Sequence, residues 1–399
     1  MKILIVDDDY INRLFLHELL YEEYELAEAQ NGQEAVQIIQ VFMPDLILLD
    51  IMMPVMNGYE ALHKIRQSRI TSEISVIMVT AKTEKDDVKK AIKAGANDYI
   101  KKPIDKTELF AKIDIQKRYI EKKNIIKKYQ VYANIHESMI VAQRVQESLL
   151  PDNNKFRTYF PDSFVLNLPK DIISGDFYSI YYKSGKKIIS LFDCVGHGVP
   201  AGMMSIIVHF TISKYIDSFN ITNPLEIVRN ISIDFQKYIN QSDDTFIDFG
   251  FDGVICEIDE INKEIVFLGA RRPLIIIKEK SDELLVDNIV IEPFISTDNY
   301  SLYVIGGNNT SISLEKANFS TKKINYSAND TIYLFSDGYS DHPAGFDKIR
   351  ISKRDFFTLL ISNQNLTMTE QKLFLYNYFK KCIQDSHQID DVLVVGIKL

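Results

Sequence analysis

The sequence predicts an N-terminal α/β domain on a parallel sheet, a helical connector, and a larger α+β domain on antiparallel sheet. Three observations carry this. Up to about residue 115, short apolar runs alternate with amphipathic stretches, the pattern of strands flanked by helices on both faces of a parallel sheet. Between about 106 and 150 there is no glycine and no proline before Pro151. From Pro151 to Leu399, β-branched and aromatic residues crowd into short runs, with amphipathic stretches between them.

Taken in order, Ile3–Val6, Leu46–Leu49 and Val76–Val79 are continuous apolar runs of strand length. Ile11–Tyr21, Gly32–Phe42, Gly58–Gln67 and Asp86–Ala94 read as the intervening helices. In the connector, Tyr119, Ile126, Ala133 and Ile140 recur seven apart. His136 and Gln143 at intervening core positions argue against a long zipper, so a helix that pairs with a second copy is expected. Lys117, Arg118, Lys122, Lys123, Lys127 and Lys128 form a solvated basic face of that helix. Further on, Lys187–Phe192, Gly253–Ile258, Glu264–Leu268, Leu274–Ile277, Thr331–Phe335 and Val392–Ile397 read as strands. Helices are expected near Ala201–Phe219, Leu225–Tyr238 and Thr369–Cys382.

A length of 399 residues suits two domains and a connector, and the 46% hydrophobic and 25% charged fractions are those of a globular protein. A net charge of −9 argues against a nucleic-acid partner. No run of roughly 18 uncharged apolar residues appears, so no membrane-spanning helix is expected. The N-terminus reads as a strand rather than a signal peptide, and the expected location is the cytoplasm. Cys194, Cys256 and Cys382 form no CxxC pair and read as small core residues.

In a parallel sheet the residues that follow the strands gather on one edge. Here these are Asp7-Asp8-Asp9, Asp50, Thr80 and Lys102. Clustered carboxylates repel one another unless a cation sits among them, and a hard ion such as Mg²⁺ suits an all-oxygen site. Asp50 is then placed as a carboxylate nucleophile toward phosphorus, with Lys102 and the Thr80 hydroxyl able to meet phosphoryl oxygens. These residues, with the run Leu-Leu-Asp-Ile-Met-Met-Pro-Val-Met-Asn-Gly from Leu48 to Gly58, closely resemble the receiver domain of two-component response regulators over residues 1–118. The resemblance implies a doubly wound, flavodoxin-like sheet of five parallel strands. It implies Mg²⁺ held by Asp7, Asp8, Asp50 and the Met52 carbonyl, and Asp50 as phosphoacceptor. Thr80, Tyr99 and Lys102 become switch residues and Asp9 a bystander. A sensor histidine kinase or phosphotransfer protein is the implied phosphodonor.

The C-terminal part carries four aspartate motifs: Ser174-Gly175-Asp176-Phe177-Tyr178, Phe192-Asp193-Cys194-Val195-Gly196-His197-Gly198, Leu334-Phe335-Ser336-Asp337-Gly338 and Gln388-Ile389-Asp390-Asp391. Singly, each reads as a turn. In this order they resemble the SpoIIE-type branch of the metal-dependent (PPM, type-2C) protein phosphatases, which includes the RsbU-like enzymes. The lead-in from Gln143 to Pro151, Gly198-Val199-Pro200-Ala201, and Gly269-Ala270 before Arg-Arg-Pro-Leu add to the match, over about 140–399. It implies an α-β-β-α sandwich over 151–399, preceded by a linker at 119–150. Two Mg²⁺ or Mn²⁺ ions would be bridged by Asp193, with Asp176 on one side, Asp337 and Asp390 on the other, and the Cys194 carbonyl as a further ligand. Asp391 exchanges with Asp390 as an alternative, and Asp252 is a secondary acidic candidate.

Such a metal pair activates water for attack on phosphorus. A cysteine nucleophile in a C-x₅-R loop is excluded, because positions 200, 262 and 388 hold Pro, Asn and Gln. His197 either donates a proton to the leaving group or is a locally bonded loop histidine. Arg271 and Arg272 either orient phosphate or make surface ion pairs. Ser179 stands where many relatives carry aspartate or another polar group. The implied substrate is a phosphoserine or phosphothreonine on a STAS-type anti-sigma-factor antagonist. A silent phosphatase fold acting as a docking module is the alternative. A DNA-binding output is disfavoured, since the tail is long, β-rich and studded with aspartates rather than compact and basic.

Overall fold

The computed structural model describes all residues except 82–84, 240–249, 314–317, 341–342, 345–348 and 384–386. It divides into two compact units, Met1–Asn134 and Ile135–Leu399.

In the first unit, strands β1 (Lys2–Val6), β2 (Glu25–Ala29), β3 (Leu46–Asp50), β4 (Ser75–Thr80) and β5 (Asp98–Lys101) form a parallel sheet in the order β2-β1-β3-β4-β5. Helices α1 (Tyr10–Leu20), α2 (Gly32–Phe42), α3 (Gly58–Gln67), α4 (Lys85–Lys93) and the start of α5 (Lys106–Leu149) alternate with them. β1, β3 and β4 are apolar at nearly every position because both faces are covered, giving two cores on opposite sides of the sheet. Helix starts are capped by side chains: Asp9 accepts from the Ile11 N–H, Asn31 from Gln33 and Glu34, and Asn57 shares a capping box with Glu60. Asp9 is thus a cap.

The connector is one continuous helix. α5 runs 44 residues; Leu109, Ile113 and Gln116 are buried in the first unit, and Gln146 is buried in the second. The linker expected at 119–150 falls within this helix, since nothing in this glycine-free stretch interrupts the backbone hydrogen bonds. Along it Tyr119, Ile126, Tyr129, Tyr132 and Ile135 are exposed.

The second unit begins with the end of α5, then α6 (Asn153–Tyr159), β6 (Ser163–Leu168), β7 (Asp176–Lys183), β8 (Lys186–Cys194), α7 (Val199–Ser213), α8 (Pro224–Ile239), β9 (Gly250–Asp259), β10 (Glu264–Ala270) and β11 (Leu274–Glu279). β7, β8, β9 and β10 are antiparallel neighbours in one sheet. β6 and β11 belong to a second sheet, with Tyr300–Ile305, Thr331–Phe335 and Val392–Lys398. The two sheets face each other across a core that includes Tyr178, Ile189, Leu191, Val254, Ile276, Leu334 and Val395. α7 and α8 cover the outer face of the first sheet. Helices Lys353–Ser362 and Met368–Ile383 cover the second. This is the α-β-β-α sandwich, with strand alternation sending one set of side chains between the sheets and the other beneath helices.

One expectation is corrected. Val199–Ser218, α7 with its π-helical extension, is long and apolar enough by length and composition to cross a membrane. Lys214 and Asp217 interrupt the run without lowering its mean hydropathy enough to disqualify it. One face of it has a packing explanation: Ala201, Met204, Val208, Ile212 and Ile216 are buried against Phe177, Phe192 and Ile255, while Met203, Ile207 and Phe210 are exposed.

Candidate functional site

Two acidic sites form, one in each unit. In the first, β1, β3, β4 and β5 run parallel and deliver Asp7, Asp50, Thr80 and Lys102 to one sheet edge. Asp7 and Asp50 are buried, and Lys102 Nζ lies 2.7 Å from Asp7 and 2.6 Å from Asp50. Asp7 Oδ1 also accepts from the Asp9 N–H and from Asn12, and Asp50 Oδ2 from the Met52 N–H. Burial raises the Asp50 pKa against the opposing pull of Lys102. Burial works to deprotonate Lys102, but its bonds to both carboxylates outweigh it and leave its pKa raised. Asp8 is exposed, Met52 is 64% exposed, Thr80 is buried, and Tyr99 lies half-buried under Lys112. One lysine thus compensates two buried carboxylates, with Asp8 adding a third beside them: an oxygen-only donor set that a hard divalent ion fits.

In the second unit, register does the assembly. Asp176 on β7 pairs directly with Asp193 on β8, and Asp193 with Asp252 on β9. Directly opposed residues share a face, so three carboxylates stand abreast where the space between the sheets opens. Asp337 follows the second-sheet strand Thr331–Phe335, and Asp390 precedes Val392–Lys398. Asp193, Asp252, Asp337 and Asp390 line a cavity of about 240 Å³ with Arg272, His197, Val195, Gly196 and Ile389. Asp176 is fully buried behind it, accepting from Ser336 Oγ at 2.5 Å. Gly338 is required beside Asp337, because a Cβ there would collide with the Asp391 carbonyl.

The cluster is short of positive charge. Arg272, in the β10–β11 connection, reaches Asp193 at 2.6 Å, Asp337 at 2.7 Å and Asp252 at 3.5 Å, while its buried Nε has no partner among the described residues. Burial pushes the Asp193 pKa up to about 7; Arg272 opposes, and Asp337, Asp390 and Asp252 add to the rise. Burial drives Asp176 well above the carboxylate range, and raises Asp390. Among the described residues, no three Asp, Glu, His or Cys side chains yet converge at metal-ligand spacing. In the second unit Arg272 lies between Asp193 and Asp337. The donor set itself, all oxygen and under-neutralised, fits hard divalent cations.

The Asp390-Asp391 pair divides its tasks. Asp391 is buried, and its two oxygens accept from the Lys170 and Gly175 N–H groups at 2.7 Å each. Asp390 faces the cavity. Cys194 is buried at the end of β8. Ser179 pairs with Ser190 across β7 and β8, deep in the sheet and away from the cavity. Arg271 is exposed, whereas Arg272 is the site's internal cation. Sequence reasoning passed over Gln146, which brackets Ser174 by accepting from its N–H and donating to its carbonyl. It also passed over Asp171, 3.0 Å from His197. Gln146 lies inside the quoted lead-in motif, while Asp171 carries no motif signal.

Comparison with known families decides the membership. The model of stage II sporulation protein E (SpoIIE) matches residues 183–399, more than half of the chain. The chain belongs to the SpoIIE family. A response regulator receiver domain matches residues 3–114 of this SpoIIE-family chain. Over 106 residues the chain is 42% identical to the chemotaxis protein CheY of Halobacterium salinarum, spanning 26% of this chain and 87% of that protein. It is 38% identical over 113 residues to the response regulator PleD of Caulobacter vibrioides, spanning 28% of this chain and only 25% of PleD. Among solved structures, the SiaA-PP2C domain of Pseudomonas aeruginosa superposes with a TM-score of 0.57 at 19% identity, covering 67% of this chain and 98% of that domain. That likeness shows a shared PP2C-type fold. The SpoIIE-family chain is accordingly a response regulator that joins a receiver domain to a PP2C-type phosphatase domain. Its receiver implies a phosphodonor such as a histidine kinase.

Proposed function

We propose that the protein is a metal-dependent serine/threonine phosphatase whose activity is set by phosphorylation of Asp50. The observation that carries the reading is the set Asp193, Asp252, Asp337 and Asp390 around one cavity, with Asp176 paired to Asp193 and buried behind it. Residues 151–399 hydrolyse, residues 1–118 receive the phosphoryl signal, and 119–150 connect them. Asp176, Asp193, the Cys194 carbonyl, Asp337 and Asp390 would hold the Mg²⁺ or Mn²⁺ ions of the phosphatase site. Asp391 fixes the Lys170–Gly175 backbone behind them. Ions in this site supply an acidified water and charge compensation for the phosphoryl oxygens. Arg272, already among the carboxylates, turns toward the substrate phosphoryl group as a planar, permanently charged donor. The substrate class is a phosphoprotein of the STAS type, an assignment that rests on family resemblance.

Turnover of p-nitrophenyl phosphate or a phosphoserine protein, with Mn²⁺ or Mg²⁺ and with excess chelator, tests the reading. Activity that disappears with chelator and returns with metal is expected. A folded protein inactive with every divalent ion would point instead to the docking module.

In the receiver, Asp7, Asp8, Asp50 and the Met52 carbonyl would hold Mg²⁺, and Thr80, Tyr99 and Lys102 would report the phosphoryl group. Incubation with acetyl phosphate and Mg²⁺ is expected to label the protein with an acid-stable, alkali-labile phosphoryl group. Asp50→Ala abolishes the label, and retained label would move the acceptor elsewhere. The exposed Tyr119, Ile126 and Ala133, each seven apart on α5, support pairing of two copies through this helix. Light scattering with and without beryllofluoride is expected to show a dimer in at least one state; a monomer in both would end that part of the reading.

A further inference from the structure

We infer that Asp171 is a positioning residue for His197, holding its imidazole so that Nε2 serves the leaving group of the phosphatase reaction. The inference rests on the phosphatase reading above and adds to it a residue from a separate loop.

His197 lies between two glycines in the left-handed region, Gly196 at φ 93° and Gly198 at φ 70°. Side-chain-bearing residues resist that conformation, so this turn is shaped to present the one side chain between them. The imidazole lines the same cavity as Asp193 and Asp390. Its Nδ1 lies 3.0 Å from Asp171 Oδ2. An ionised carboxylate only accepts, so Nδ1 carries the hydrogen and Nε2 is left as the nitrogen that holds or releases a proton.

Asp171 is itself held in place. Its neighbour Lys170 donates its N–H to Asp391, as does Gly175, and Ser174 is bracketed by Gln146. The segment from Lys170 to Gly175 is thus anchored on both sides of Asp171. The Asp171–His197 contact contributes little to stability, since the two side chains are 39% and 58% exposed and such pairs are screened by solvent. The anchored 170–175 segment thus brings a carboxylate to the one side chain that the Gly196–Gly198 turn presents at the rim of an acidic cavity.

In that reaction an oxygen from water bonds to phosphorus as the ester P–O bond breaks. Nε2 passes its proton to the departing serine or threonine oxygen, giving the free alcohol and inorganic phosphate. The imidazole is reprotonated by the proton the water released.

The test uses the full-length, Mn²⁺-loaded protein and two esters that differ in leaving group. p-Nitrophenyl phosphate departs as a stable anion and needs little proton assistance, whereas phenyl phosphate needs more. Asp171→Ala and His197→Gln are each expected to lower kcat on phenyl phosphate by about 10-fold or more, with p-nitrophenyl phosphate falling less than about 3-fold and KM unchanged. The double variant is expected to be no slower than His197→Gln alone, as befits residues acting through one another. Long-range ¹⁵N–¹H spectra should show the Nδ1–H form of His197, lost in Asp171→Ala. Equal losses on both esters, additive losses, unchanged kinetics, or a tautomer indifferent to Asp171 would each overturn the inference. A parent chain inactive with every ion would overturn the phosphatase reading instead, and the tautomer measurement would still decide the contact.

Discussion

Asp193→Asn is expected to lower phosphatase turnover by at least about 10²-fold while raising the melting temperature of the metal-free phosphatase unit. Both effects come from one position. Asp193 stands between Asp176 and Asp252 on adjacent strands, and its pKa of about 7 records the cost of keeping it ionised there. Asparagine keeps the shape, accepts from Arg272 and removes one charge from an under-neutralised row, so the fold gains what the chemistry loses. Steady-state kinetics with Mn²⁺, beside calorimetry in excess chelator, separates the two. Lost activity accompanied by a lower melting temperature would mean that the substitution damaged the structure.

Arg272→Met is expected to destabilise the metal-free phosphatase unit by roughly 3–5 kcal/mol, because it strands Asp193, Asp337 and Asp252 without their cation. The pH dependence has a definite sign. Asp193, Asp176 and Asp390 have folded pKa values above the ordinary carboxylate value. The folded state therefore holds protons that the unfolded chain releases, and stability falls as pH rises from about 4 through 7. Chelator-treated parent protein is expected to melt higher at pH 6 than at pH 8, and Arg272→Met to widen that difference. Mn²⁺ at millimolar concentration is expected to restore most of the loss at pH 8, since binding to the folded state alone stabilises it. Calorimetry across pH, with and without Mn²⁺, checks each part. A variant as stable as the parent at pH 8 without metal would show that Arg272 is no counterion.

The receiver site was legible because parallel strands put their following residues on one edge by construction: Asp7, Asp50, Thr80 and Lys102 needed only the strand assignments. The four aspartate motifs of the second unit were legible as an ordered set. Their meeting place was not, since it depends on the register that sets Asp176 against Asp193 and Asp193 against Asp252. Nor could the sequence apportion Asp390 and Asp391, whose tasks differ only because the Lys170 and Gly175 N–H groups approach one of them. Arg272 was one of two adjacent arginines, and only the crossing from β10 in one sheet to β11 in the other turns it onto the carboxylates. The helicity of α5 was readable from its lack of glycine and proline. The point at which it passes from one unit to the other was not, because that is decided by which of its side chains each core buries.

The carboxylate row also bears on fidelity of folding. A one-residue slip between β7 and β8, or between β8 and β9, turns alternate side chains to the opposite face. Asp176, Asp193 or Asp252 would then be driven under α7 and α8, into the layer of Phe177, Phe192 and Phe251. Such a mispaired sheet would bury bare charge in an aromatic layer and expose aromatic rings to the cavity. The three aspartates of this row therefore act as a checksum on strand pairing, and a molecule that fails it is both unstable and unable to bring its carboxylates together.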